Sequence, residues 1–555
     1  MALSTYDYVI VGAGSAGCAM ARRLAEQPEL RVLLLEQGDP NTSWRVRMPA
    51  AMGANYKPGA GYTRRYQTVP QAYMNGRVVE HPRGVGLGGS SLINGMVYLR
   101  GNPHDYDRWA GEGAAGWSYA DVLPYFKRME RRAEGADAYR GDCGPIGVRR
   151  VADLGPLYRA FVDAGRQAGY PFTDDVNGYR QEGFCRFDMN IDGGYRASSA
   201  FGFLERSGRP KNLAIQTGAR GCRLLFEGRR AVGVAYHHRG ESLEARAERE
   251  VILCAGAIGS PQILLLSGVG PAEELARIGI KPVHDLPGVG KNLHDHLELD
   301  LQWECTQPVS MNGLMKPHRR AKIGLEWFLF KRGVGAVNAC HAGAFLRSTP
   351  EVAYPNIQFH FFPVCFDGWV PRSDKHGFRI SAGPMRQTSR GTLMLRSADP
   401  ADAPSIDPHY LETETDRREL RDSCAAIMEV VSQKAFDSYR GRPLDLPRLP
   451  RTEAEVDALV RETAATAFHL CGTCKMGGEL DPLAVVDPQT RVRGLIGLRV
   501  ADASIMPSIV SSNLNAPVMM IGERASDLVL GKSMPPQDAP YHRPSGPIRS
   551  QPPSI

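Results

Sequence analysis

The sequence predicts an α/β protein of two domains, a doubly wound nucleotide-binding domain and a mainly antiparallel substrate domain. Three observations predict it. Residues 8–17 read YVIVGAGSAG, an apolar run that breaks into Gly12, Gly14 and Gly17. The chain has 555 residues, beyond the size at which single cores stop growing. From about residue 297 to about 465 the composition shifts, with aromatic and β-branched residues rising in 355–366 and 378–394.

Val9, Ile10 and Val11 suit a strand buried on both faces. In the following G-x-G-x-x-G, the first glycine permits a tight turn and the second lets backbone approach a pyrophosphate. The third lets the next helix pack close on the strand. Residues 18–27 read as that helix, with Ala19, Ala21, Leu24 and Ala25 inward. Its N-terminus aims N–H groups and a positive dipole end at the loop, a seat for phosphate. A second buried strand over 31–35 ends at Glu36, where an acid would hold an adenosine ribose. The fingerprint alone does not separate FAD from NAD.

Residues 82–100, PRGVGLGGSSLINGMVYLR, carry Gly84, Gly86, Gly88 and Gly89 and cannot be regular helix or strand. Ser90, Ser91 and Asn94 add polar groups, and Leu87, Leu92, Ile93, Met96 and Val97 tie the loop down against a flat or charged ligand. Residues 121–132 read as an exposed amphipathic helix and 157–168 as another. Residues 213–234 read as a hairpin turning near Gly228, and 250–257 as an apolar strand. A helix over 259–270 follows, with Pro261 in its first turn and Gly268 as its C-cap. Residues 453–468 read as a helix, 498–502 as a buried strand ending in Asp502, and 518–530 as the last helix. The Pro-rich tail from Ser533 reads as disordered.

The net charge of +7 is a small difference between 67 basic and 60 acidic residues, with no long basic run. That argues against a nucleic-acid partner and leaves room for weak attraction to an anionic membrane surface. No stretch is long and apolar enough to span a bilayer, and MALSTYDYVIV enters the first strand with no room for a signal peptide. Eleven scattered cysteines suit reduced thiols in a cytoplasm.

The chemistry concentrates near the C-terminus. His469 opens HLCGTCKMG and Asn513 lies in SSNLNAPVMM. A histidine takes a proton near neutral pH, and an asparagine both donates and accepts. Together they would hold an alcohol hydroxyl; a cap or core role for the histidine is the plainer reading. Cys471 and Cys474 form a C-x-x-C beside His469, and His294-Asp295-His296 is a second cluster. The first has no further ligand pair at local spacing, and the second would offer at most two histidines on one strand face, so no metal is expected. No G-x-S-x-G accompanies a Ser/His/Asp set, which leaves a hydrolase without support.

Taken together, the fingerprint, PRGVGLGGSSLINGMVYLRG, GAIGSPQILLLSGVG, LPGVGKNLHDHLE, FHLCGTCKMG and VADASIMPSIVSSNLNAPVMMIGERASDL resemble the glucose–methanol–choline (GMC) oxidoreductase family, in its order and spacing. GLGGSSLINGM, CTQPVS and PNIQ are similar to its bacterial choline-dehydrogenase branch. The resemblance implies a GMC-type two-domain flavoprotein that oxidises a primary alcohol to an aldehyde by hydride transfer to flavin N5, choline being the first candidate. It implies that Gly12, Gly14, Gly17 and Glu36 hold the ADP part of FAD, that Gly89, Ser90 and Asn94 lie along the pyrophosphate and isoalloxazine, and that Asp502 sits near the pyrophosphate or ribityl chain. His469 matches the catalytic histidine and Asn513 its partner. Glu298 matches a carboxylate used against a trimethylammonium group. The electron acceptor would be a quinone, a dye-like acceptor or oxygen. A non-cationic alcohol, or a hydroxynitrile-lyase-like reaction on the same fold, are the alternatives.

The chain departs from the pattern in places. Asn94 stands where some members attach FAD covalently through His, so the cofactor is expected to be non-covalent. Val85 stands where many members have Lys or Arg. The segment 315–322, MKPHRRAK, lacks the tryptophans of choline enzymes and carries basic residues instead. Lys316, Arg319 and Arg320 would then pair with Glu298 or repel a cation. The expected division is 1–160, 211–296 and 466–532 for the FAD domain, with a substrate-domain excursion over 161–210. Residues 297–465 form the substrate domain and 533–555 the tail.

Overall fold

The computed structural model describes residues 5–40, 42–56, 59–151, 155–368 and 370–544. Two large sheets organise them. The first has seven strands. Thr5–Val11 lies at its centre, parallel to Val32–Leu35 on one side and to Glu241–Leu253 on the other. Leu213–Gln216 extends it beyond Val32–Leu35, and Leu498–Val500 pairs in parallel with the end of Glu241–Leu253. All four residues of Val32–Leu35 are buried, as a strand covered on both faces requires. The helix Ser15–Leu24 packs on the sheet and against the last helix, Asn515–Val529. That packing brings the two ends of the sequence together at the glycine loop.

The second sheet has eight strands and is almost wholly antiparallel. Its order runs Arg440–Leu444, Leu297–Cys305, Gly377–Pro384, Ile357–Phe362, Ala342–Leu346, Gly183–Arg186, Phe172–Thr173, with Ala465–Thr466 paired to the start of Leu297–Cys305. Leu297–Cys305 alternates strictly, burying Leu297, Leu299, Leu301, Trp303 and Cys305 in a core with the helices Pro156–Gln167 and Glu414–Ser432. The period of two therefore sends Glu298 and Asp300 to the opposite face.

Several expected elements differ. Residues 121–132 are not an exposed helix. Tyr119–Met129 is helical and buries Val122, Leu123, Tyr125, Phe126 and Met129, and Glu130–Arg132 is a strand. The helix expected over 259–270 spans Gly256–Leu266 and carries Pro261 inside it, because Asp502 receives the Gly256 N–H at its start (2.8 Å). The hairpin is Ala219–Glu227 with Arg230–His238, while Leu213–Gln216 belongs to the parallel part. The helix expected to reach Phe468 stops at Thr463. The tail is ordered where it is described: the Met534 N–H donates to the Tyr125 hydroxyl (2.9 Å) and the Tyr541 hydroxyl to Asp107 (2.6 Å). Residues 545–555 lie outside the described residues.

Candidate active site

A cavity runs from the glycine loop to His469, lined among others by Gly12, Gly14, Glu36, Gly89, Ser90, Asn94, Asp502, His469 and Asn513. The glycines divide by role. Gly12, at φ +103°, faces the Cys254 carbonyl, which an added Cβ would meet at 2.5 Å. At Gly17 a Cβ would strike the Gly12 carbonyl at 1.9 Å, so Gly17 is a packing glycine and does not line the cavity. Gly14 is different: its Cβ would have open space, with only the Cys254 carbonyl at 3.8 Å. Gly14 also precedes the helix Ser15–Leu24 with no side chain capping its first N–H groups. Free donors and empty room at one place are what a pyrophosphate fills.

The two cavity acids do structural work as well. Glu36 is buried and accepts the N–H groups of Ala13 (2.9 Å), Gly38 (2.9 Å) and Gly86 (3.0 Å), knitting three loops. Asp502 accepts from the Ser260 hydroxyl and from the Gly256 and Ser504 N–H groups (2.8 Å each). Burial pushes both carboxyls above their usual range, against those hydrogen bonds. The Ser90 hydroxyl accepts from the Gly84 N–H (3.2 Å), and the Asn94 side-chain oxygen accepts from Arg196 (2.8 Å). Arg83 was missed. It donates to the Phe468 carbonyl, while its Nη2 is buried in the same wall with no partner among the described residues. An orphaned guanidinium donor suits the polar atoms of a bound cofactor.

His469 is held by a chain of hydrogen bonds whose direction follows from its ends. His296 Nε2 faces the Met385 carbonyl at 2.9 Å and must carry a proton. Burial lowers the pKa of His296 to about 4, so the ring is neutral and its Nδ1 accepts. His469 Nδ1 lies 2.8 Å from that nitrogen and therefore donates. The proton of neutral His469 is thus fixed on Nδ1, and Nε2 is left as a base. Burial first, then His296, His360 and Arg83, hold His469 well below the usual histidine range.

Beyond Nε2, Asn513 Nδ2 donates to His469 at 3.2 Å, and Asn513 Oδ1 accepts from Gln358 (3.1 Å) and from His360 (3.2 Å). Three neighbours thereby fix the Asn513 amide. His360 Nδ1 lies 3.0 Å from Glu298. Burial alone would lower His360 and raise Glu298. Each overrides the effect on the other, leaving His360 raised and Glu298 lowered, an ion pair. Glu298 does not line the cavity itself and reaches Asn513 through His360. Its partner is His360 and not the basic cluster: Lys316, Arg319 and Arg320 are exposed at the start of the helix Pro317–Phe330, and Arg319 donates to the Gly313 carbonyl.

The backbone around His469 is bolted by Asp295. That carboxylate accepts from the Tyr410 and Thr466 hydroxyls and from the His469 N–H (2.7 Å). It holds Phe468 at φ +67°, a left-handed conformation that an aromatic residue rarely adopts. His294-Asp295-His296 is therefore a positioning cluster. Among the described residues no group of His, Cys, Asp and Glu could hold a metal. Cys471 and Cys474 are buried thiols raised by that burial. Asp295, His296, Gln358 and His360 were not among the expected site residues, although HDH and PNIQ carried the signal.

Comparison with known proteins decides the family. The GMC oxidoreductase models match residues 6–298 and 387–522. The chain belongs to the GMC oxidoreductase family. It is 48% identical over 549 residues to the mitochondrial choline dehydrogenase of Homo sapiens, covering 97% of this chain and 92% of that protein. It is 48% identical over 557 residues to the oxygen-dependent choline dehydrogenase of Ectopseudomonas mendocina, covering 99% and 98%. Pyridoxine 4-oxidase from Mesorbium loti superposes with a TM-score of 0.85 at 33% identity, covering 94% of this chain and 98% of that one. The formate oxidase of Aspergillus oryzae, studied for modification of its FAD, gives a TM-score of 0.88 at 25% identity, covering 95% and 98%. GMC oxidoreductases bind FAD, and the cradle at Gly14 and the unpartnered donor of Arg83 fit it.

Proposed function

We propose that this protein oxidises choline to betaine aldehyde, with non-covalent FAD and with His469 as the base. The observation that carries the chemistry is the proton fixed on His469 Nδ1. It leaves Nε2 unprotonated at the cavity wall beside Asn513 Nδ2. An alcohol bound there would take over the single lone pair of His469 Nε2 from Asn513 Nδ2, donate its hydroxyl proton to that nitrogen and accept from Asn513. As C–H cleavage builds charge on the oxygen, His469 takes the proton and Asn513 holds the oxygen in place. FAD, when bound, supplies the hydride acceptor, and the electrons pass on to a quinone, a dye-like acceptor or oxygen. Gly12, Gly14, Glu36, Gly89, Ser90, Asn94, Asp502 and Arg83 would hold the cofactor. Asn94 offers no imidazole for a covalent bond, and its oxygen is already engaged by Arg196.

Choline as the substrate rests on the named relatives, which match nearly the whole chain, and on Glu298. Its carboxylate is held ionised by His360 and set back from the cavity wall, so it would favour the trimethylammonium group only through the His360–Asn513 chain. All eleven thiols are free, which suits the reducing cytoplasm where we place the protein. The test is anaerobic: choline should bleach the flavin absorbance. A yellow protein that no alcohol bleaches would sink the proposal.

A further inference from the structure

The basic segment around residues 315–322 takes no part in the site. It opens the helix Pro317–Phe330, which is exposed along nearly its whole length. Trp327 is the one buried residue of this helix, donating to the Gly194 carbonyl (2.8 Å) and packing on Met48 and Ala336. At 100° per residue, Leu325 and Leu329 lie opposite Trp327, and Phe328 lies on the flank beside them, its ring edge-on to Trp327 at 5.2 Å. Leu325, Phe328 and Leu329 are 61%, 50% and 62% exposed, and the neighbouring Phe330 is 60% exposed. Trp44, 44% exposed, meets Phe328 edge-on at 5.6 Å and widens the patch. Four of the thirteen large exposed hydrophobics among the described residues, Trp44, Leu325, Phe328 and Leu329, thus gather at one place, while Phe330 turns away under Arg332. Scattered apolar residues need no explanation, but a contiguous patch does.

The rim of this patch is strongly basic. Residues 316–332 hold six Lys and Arg against one acid, Glu326. Glu326 is taken by Arg332 (3.5 Å). Among the described residues, no carboxylate pairs with Lys316, Arg319, Arg320 or Lys322. A second copy of the chain would bring the same positive rim against itself, so charge selects a negative partner. The fourteen-residue helix is about 21 Å long, too short to cross a bilayer and suited to lying in its interface.

We propose that Pro317–Phe330 docks this enzyme on an anionic lipid bilayer. Leu325, Phe328 and Leu329 enter the acyl boundary, and Arg319, Arg320 and Lys322 meet the headgroups. The helix rests through Trp327 on Met48, which leads directly into Pro49–Tyr56. Tyr56 lines the cofactor cavity. Docking therefore holds the cavity in a fixed orientation to the membrane, whichever alcohol it oxidises.

The test is flotation of the FAD-loaded full chain with two vesicle preparations, phosphatidylcholine alone and phosphatidylcholine with phosphatidylglycerol. The protein should float with the second and not the first, and added salt should release it. Two triple variants, Leu325→Ser/Phe328→Ser/Leu329→Ser and Arg319→Glu/Arg320→Glu/Lys322→Glu, should each weaken vesicle binding by about tenfold or more. Both should keep the wild-type flavin content and the wild-type turnover with a soluble dye acceptor, which separates this proposal from the assignment of the substrate. Absence of the wild type from phosphatidylglycerol vesicles would overturn the proposal. So would unchanged binding by either variant, or a wild-type dimer that the apolar variant dissociates without loss of vesicle binding.

Discussion

His296→Ala perturbs the base without touching it. In the native chain His296 Nδ1 accepts the His469 Nδ1 proton at 2.8 Å, and the Met385 carbonyl fixes which nitrogen of His296 is free to do so. Removing the ring leaves a buried N–H without an acceptor, at a cost of about 1–3 kcal/mol. His469 escapes that cost by moving its proton to Nε2, where it can bond the cavity contents but can no longer act as a base. The competent tautomer then becomes the minor one by the same energy. At about 1.4 kcal/mol per decade, flavin reduction should slow by about 5- to 150-fold. The assay is anaerobic stopped-flow absorbance of the flavin at saturating alcohol, with bound FAD measured separately. His296→Gln, whose side-chain oxygen can accept, should recover part of the rate. Reduction by His296→Ala at the wild-type rate, with FAD retained, would refute the tautomer argument.

Four further outcomes are expected. His469→Ala should slow flavin reduction by roughly 10²–10⁴ while FAD stays bound, read in the same stopped-flow assay. Acid precipitation should leave the yellow colour in the supernatant; colour in the pellet would mean a covalent link. Glu298→Gln should lower the preference for choline over its uncharged isostere 3,3-dimethylbutan-1-ol, by less than a direct charge-assisted contact would, because the carboxylate is paired with His360 and set back from the cavity wall. No preference in the wild type would make Glu298 structural. Acid should destabilise the fold early. His81, His294, His296 and His469 are all held neutral by burial, so below about pH 6.5 the unfolded chain binds protons that the native chain refuses. Each contributes stability that is present above that pH and is lost below it, at about 1.4 kcal/mol per pH unit. His360 works in the opposite sense, because its raised pKa adds stability below pH 6.5 that fades as pH rises through the folded value. The carboxyls of Glu36, Asp295, Glu419, Asp422 and Asp502, which burial raises, act in the sense of His360, and His104, His341, His376 and His542 act with the other four; eight groups against six leave the Tm followed by flavin fluorescence falling from pH 6.5 to 5, and a flat or rising Tm would contradict the assignment.

The strand, turn and strand end around the glycine loop were legible in local sequence, because their devices are local. Gly12, Gly14 and Glu36 announce a strand, a turn and a strand end within one short stretch, and backbone geometry does the rest. The proton relay was harder to read. His296 and His469 meet across 173 residues, and Glu298 and His360 across 62, through strand pairings that no periodicity reports. HDH was visible as a motif, but its three residues divide their work: His294 takes the Ile509 N–H, Asp295 bolts the Phe468 turn, and His296 sets a tautomer. Helix limits failed for similar reasons. Pro261 reads as a first-turn residue until Asp502, far along the chain, anchors the helix at Gly256. The segment 121–132 reads as an exposed helix because its charges are conspicuous, whereas the aromatic face of the helix Tyr119–Met129 is covered by Asn515–Val529 and by the ordered tail.

The central claim is that the cavity between His469, Asn513 and the glycine loop oxidises choline. Mixing the purified, FAD-loaded protein with choline under anaerobic conditions tests it most directly. The account predicts that the flavin absorbance bleaches, that betaine aldehyde appears in stoichiometric amount, and that His469→Ala bleaches far more slowly. A flavin that stays oxidised with choline while an uncharged alcohol bleaches it would contradict the substrate. A flavin that no alcohol bleaches would contradict the chemistry.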